Sequence, residues 1–247
     1  MSQYGLGFIS DKDLFEHVKN TVEQYRFDID LTSFNKNLID PIKLTFDSIV
    51  YDVPIENIVK NESLRQIDKS NTNQIGYFHQ NIFNYIGDGW SVPKEGFDVV
   101  NLSNHIFVEM KNKHNTMNSA SSQKTYMKMQ NTLLENDKAT CMLVEVIAKN
   151  SQARTWEISL DKKKYKNSNI QRVSIDKFYE IVTGDKDSFK NLCSVLPEVI
   201  KDVVDELKIK KESNSVIKEL NEISDNTLKS LYLLSFSKYE GFDKFDV

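Results

Sequence analysis

The chain has 247 residues, 39% of them hydrophobic and 28% charged, with a formal net charge of −4. This suits one large globular domain, or a core with a small appendage. It excludes a disulfide framework or a zinc site, because Cys141 and Cys193 stand alone in apolar segments and read as small core residues. It also excludes a membrane helix, because no apolar run approaches about 18 residues. The opening Met-Ser-Gln-Tyr-Gly-Leu-Gly lacks the basic region and apolar core of a signal peptide.

Residues 11–26 set Leu14, Phe15, Val18, Val22 and Tyr25 on one stripe, predicting a helix capped by Ser10 or Asp11. Phe34–Val50 predicts a second helix, broken or restarted at Pro41. Pro54 suits the first turn of a short helix, Ile55–Val59, continuing toward Leu64. Lys69-Ser-Asn-Thr-Asn-Gln reads as a polar connection. Ile75–Ile86 is amphipathic, with Ile75, Phe78, Ile82, Phe83 and Ile86 at helical spacing, and Gly87-Asp-Gly-Trp ends it. Trp90–Pro93 predicts a short first strand, and Lys94-Glu-Gly turns into the next.

Two apolar runs, Phe97–Leu102 and His105–Met110, then flank Ser103-Asn104, a turn-forming pair. This predicts a β-hairpin. A two-residue turn sets Asp98 opposite Glu109, and like charges so opposed are unfavourable. A cation between them resolves the conflict. Alternation puts Glu109 and Lys111 on one face and Ile106, Val108 and Met110 on the other. Two carboxylates and an ammonium on one patch suit metal-assisted phosphodiester cleavage. Hard oxygen ligands hold Mg²⁺, the ion polarises phosphate and acidifies a water, and the lysine orients that water or stabilises developing charge.

The next segment, 112–118, is rich in amides. Asn112, Asn115 and Asn118 have the groups to pair with adenine, Lys113 to contact guanine or phosphate, and His114 to donate to a phosphate or base edge. Ser119–Leu134 predicts a helix whose front end, with Ser121, Ser122, Lys124 and Lys128, can present phosphate contacts. Charge supports a nucleic-acid partner here. Residues 109–175 carry 12 basic and 6 acidic side chains, whereas residues 1–108 sum to −6 and residues 176–247 to −4. No acidic residue occurs between Met110 and Leu134.

Ala139–Ala148 is nearly continuous in apolar residues and predicts a central strand, parallel to the one carrying Glu109. Thr155–Leu160 predicts a further strand, and the Lys162-Lys163-Lys164 run reads as a solvated loop. Ile175–Val182 and Phe189–Leu207 predict helices, the second divided or kinked at Pro197. Residues 208–215 form a charged linker. Val216–Phe236 predicts a helical region interrupted near residues 224–226. Leu228, Leu231, Tyr232, Leu234 and Phe236 give it an apolar patch, for docking onto the core or onto another subunit.

Asp98, ten residues, then Glu109-Met110-Lys111 resembles the PD-(D/E)xK nuclease signature, with Phe97 in place of its proline. The longer string Val108–Asn118 and the segments Val173–Gly184 and Asp187–Ile200 resemble the type II restriction endonucleases that cut GGNCC-type sites. The likeness spans about residues 60 to 200. It implies an α/β fold: a central mixed sheet flanked by helices, in a single nuclease domain. Residues 1–70 would be a helical N-terminal region, 71–207 the catalytic core and 208–247 a helical C-terminal extension. It further implies that Asp98, Glu109 and the Met110 carbonyl bind Mg²⁺, with Mn²⁺ able to substitute, and that Lys111 positions the attacking water. Gln80, on the helix before the hairpin, would support the site from behind. The DNA-facing candidates are Asn112, Lys113, His114, Asn115, Asn118, Ser122 and Lys124. Hydrolysis would invert at phosphorus, and a palindromic target would favour a homodimer. A DNA methyltransferase acting on the same site and a bacterial cytoplasmic setting complete the expectation. The alternatives are a repair or structure-specific nuclease of the same superfamily, and an inactive DNA-binding module of the same fold.

Overall fold

The apolar runs around the hairpin build a six-stranded mixed sheet. The computed structural model describes residues 3–114, 116–160, 162–209 and 215–236. The strands are β1 (Trp90–Ser91), β2 (Val99–Asn101), β3 (Ile106–Lys113), β4 (Thr140–Ile147), β5 (Ala153–Leu160) and β6 (Lys163–Ser174). Their order in the sheet is β1-β2-β3-β4-β6-β5. The pairs Val99–Val108, Val100–Phe107 and Asn101–Ile106 reproduce the predicted hairpin register. Asn101, 1% exposed, also shapes the turn: its side chain accepts hydrogen bonds from Ser103 Oγ and Asn104 N. β3 and β4 are parallel, and the helix α5 (Ser119–Glu135) is the crossover such a pair requires.

The chain divides into two units, Met1–Glu23 with Ile75–Lys208, and Gln24–Gln74 with Ile209–Val247. In the first, both sheet faces are covered. Val108, Met110, Met142, Val144 and Val173 pack with α1 (Asp11–Glu23), α6 (Ile175–Thr183), α7 (Ser188–Leu207) and the segment Phe78–Ile86. Cys141, Leu143, Trp156, Ile158 and Ile170 point the other way, onto Tyr126 and Met129 of α5. Cys141 is buried as expected, whereas Cys193 is exposed on α7; both are free thiols. In the second unit, Phe34, Leu44, Val59, Val216, Leu220 and Leu231 form a separate core. Leu231 thus docks the C-terminal patch onto its own unit.

Several boundaries differ from expectation. The predicted helix over 34–50 is two helices, α2 (Leu31–Asn35) and α3 (Pro41–Val50), capped by Asp30 and Asp40. The supposed polar connection at Lys69–Gln74 lies inside one long helix, α4 (Ile55–Asn81). Polarity there reflects tertiary bonds, not a loop: Asn71 bonds both the N–H and the carbonyl of Arg26. α7 continues through Pro197. The lysine run opens β6, with Lys162 at φ +65 in the turn and Lys163 paired to Leu160. The first part of β6, residues 163–166, is exposed on both faces, so its sequence carries no apolar alternation. Two helices, α8 (Val216–Ile223) and α9 (Thr227–Phe236), follow the charged linker. Among the described residues, no helix is long and apolar enough to cross a membrane.

Candidate active site

The site forms where β2 leaves the edge of β3. Asp98 N donates to the Val108 carbonyl at 2.9 Å, and there the backbone ladder between the two strands ends. Met110 N would lack a partner, and the Asp98 side chain supplies one: its carboxylate accepts from Met110 N at 2.7 Å. A strand residue aims its N–H and C=O to the same side. The Met110 carbonyl therefore faces the Asp98 side of β3 as well.

Glu109 is 8% exposed and lies beside Asp98. Lys111 Nζ stands 3.7 Å from Glu109 Oε2, on the face that alternation predicts. A residue absent from the expected metal ligands completes the cluster. Lys128, from the middle of α5, makes an ion pair with Glu109 Oε1. Its Nζ also donates to the Gly96 carbonyl at 2.6 Å and lies 4.2 Å from the centroid of the Phe97 ring. Burial holds the Asp98 carboxyl above its usual range; Met110 N–H opposes that shift and Glu109 reinforces it.

The donors fit a hard divalent ion. Two carboxylates and a carbonyl face one side of β3, and burial disfavours the charged form of Asp98. Among the described residues no three His, Cys, Asp or Glu side chains converge. Water and substrate phosphate would therefore have to fill the remaining positions, which is how Mg²⁺ is commonly held.

A second polar group stands behind Lys111. Glu145 on β4 is its register partner and is 1% exposed. Arg172 of β6 grips this carboxylate with two hydrogen bonds, one from Nε at 2.9 Å. His114 Nδ1 lies 3.0 Å from Glu145 Oε1 and 2.8 Å from Arg172 Nη2. Burial alone would raise the Glu145 carboxyl, but the Arg172 and His114 contacts outweigh it and hold the group below the usual range. The one acidic residue inside the apolar run 139–148 was the available signal for this pair.

The predicted DNA-facing residues separate. Lys113 and Lys124 are exposed, and Ser122 is half-buried at the front of α5. Asn118 caps α5 by accepting from Ser121 N at 2.8 Å. His114 is engaged with Glu145 and Arg172, and its side chain is only 16% exposed. Asn112 packs against Gly76 of α4, where an added Cβ would lie 3.4 Å from its amide nitrogen. Asn115 falls outside the described residues. Gln80 sits in the last turn of α4, and among the described residues no hydrogen bond joins it to Asp98, Glu109 or Lys111.

The Eco47II restriction endonuclease family profile matches residues 6–205. The type II restriction enzyme Sau96I of Staphylococcus aureus is 32% identical over 227 residues, covering 87% of each chain. The type II restriction enzyme Eco47II of Escherichia coli is 28% identical over 214 residues, covering 81% of this chain and 89% of that one. A match of this extent, over a mixed sheet flanked by helices, places the chain in a known group: it belongs to the Eco47II restriction endonuclease family.

Proposed function

We propose that this restriction endonuclease hydrolyses double-stranded DNA at a short specific site of GGNCC type, with Mg²⁺ as cofactor and Mn²⁺ as a substitute. The observation that carries the reading is the convergence of Asp98, Glu109, the Met110 carbonyl and Lys111 where β2 departs from β3. The first three would hold the ion. When bound, the ion polarises the phosphoryl oxygen and lowers the pKa of a water. The Lys111 ammonium orients the attacking water and stabilises the negative charge that builds on the phosphoryl oxygens. Glu145 and Arg172 hold the strand beside Lys111 in place. The exposed Lys113 and Lys124 contact the DNA backbone, with Ser122 adding a hydroxyl. A palindromic site would be met by a homodimer, and a methyltransferase would protect the same site in a bacterial cytoplasm.

The test is digestion of unmethylated plasmid and phage DNA in Mg²⁺ and in EDTA, beside Lys111→Ala. Discrete Mg²⁺-dependent bands that vanish in the variant support the reading, and sequenced ends name the site. A ladder without fixed ends points to a structure-specific nuclease, and binding without cleavage in Mg²⁺ or Mn²⁺ removes the enzymatic reading.

A further inference from the structure

Lys128 places a second ammonium, beside that of Lys111, where the chemistry calls for a metal. Its ammonium touches Glu109 Oε1, the Gly96 carbonyl and the Phe97 ring, and so lies against the buried carboxylate at the hairpin edge. With Asp98, Glu109, Lys111 and Lys128 all ionised, the cluster is formally neutral. A divalent ion added beside an undisturbed Lys128 would leave two uncompensated positive charges. It would also compete for the same Glu109 oxygen. The Lys128 side chain is 37% exposed, against 11% for Glu109, so the ammonium sits toward solvent and can move outward. Its flexible stem permits that movement. Outward, it joins a stretch of positive charge: Lys124 is exposed one turn earlier on α5, and no acid occurs from Met110 to Leu134.

We propose that Lys128 is a place-holding cation that occupies Glu109 in the DNA-free enzyme and is drawn to a DNA phosphate on binding, so that metal loading is coupled to DNA engagement. The proposal rests on the metal-site reading above. Lys128 acts through Glu109, as a positioning residue for the metal. In the free protein it weakens divalent binding; in the complex it adds one phosphate contact.

Mn²⁺ titration of DNA-free protein, followed by the electron paramagnetic resonance of free Mn²⁺, separates these roles. Lys128→Met should bind Mn²⁺ about tenfold more tightly than wild type, a coupling of ordinary size. Lys128→Gln, which keeps a donor for the Gly96 carbonyl, should show the same tightening if the methionine variant does not fold. Lys128→Arg, which keeps the charge, should stay near wild type. With a short duplex in Ca²⁺, Lys128→Met should bind more weakly, and its log–log salt slope should fall by about one. Unchanged or weaker Mn²⁺ binding in both uncharged variants would overturn the proposal and leave Lys128 as a clamp that merely orients Glu109. If Glu109→Gln leaves wild-type Mn²⁺ binding intact, the metal site itself is wrong, and the proposal falls with it.

Discussion

Met110 N–H donates a 2.7 Å hydrogen bond to the Asp98 carboxylate, filling the place on β3 where β2 has departed. One side chain thus closes a strand edge and brings a carboxylate beside Glu109. Asp98→Asn keeps an acceptor for Met110 and removes a poorly solvated charge. It should fold as stably as wild type, or more so, while losing cleavage. Asp98→Ala leaves that N–H without its partner and should cost about 1–2 kcal/mol in urea unfolding.

Lys111→Ala should reduce single-turnover cleavage about 10²- to 10³-fold, the usual cost of losing one transition-state electrostatic partner. Duplex affinity in Ca²⁺ should change little. A parallel collapse of affinity would recast Lys111 as a binding residue.

Arg172→Met strands a buried Glu145 without its guanidinium. Loss of one partner of a buried pair costs roughly 3–5 kcal/mol, and the 18% side-chain exposure of Arg172 places this case at the lower end. Adding Glu145→Gln should recover part of the loss. Urea titration of the two variants measures both effects.

His17 is 4% exposed, and its Nε2 lies 2.9 Å from the Phe78 carbonyl. Burial pushes its imidazole down to about 4, a shift that the Phe78 contact only partly opposes. Burial, with a smaller effect from His17, also pushes His79 down to about 4. The unfolded chain therefore binds these protons first. Stability should be full above about pH 6.5 and fall as the pH drops toward 4, by up to roughly 3 kcal/mol for His17 alone. Urea midpoints at pH 7, 6 and 5 measure the loss, and His17→Gln should reduce it, leaving the part due to His79.

The hairpin register was legible because alternation and a turn-forming pair are local signals. The same holds for α5 and β4. Strand β6 was missed altogether, because its first part, exposed on both faces, shows no apolar pattern. The α4 continuity was hidden because amides such as Asn71 look like loop residues until their partners are known. Lys128 and the Glu145–Arg172 pair depend on strand order. The α5 crossover returns Lys128 to a strand 19 residues earlier, and Arg172 meets a carboxylate 27 residues away. Spacing along the chain carries no trace of either pairing.

The outer strand β5 ends the sheet, and among the described residues no strand pairs with its far side. Such an edge invites a second copy to add itself and begin a fibril. Here Arg154 stands on the edge strand, with Lys162, Lys163, Lys164 and Lys166 on the adjoining turn and strand. Glu157 pairs with Lys164 at 2.8 Å; basic side chains outnumber acidic ones over residues 153–166. A second copy approaching this edge would meet Arg154 directly and the lysines of β6 one strand further in. The run that looked like an idle loop therefore adds positive charge beside the open edge, and like-charge repulsion between copies there should weaken as salt screens it.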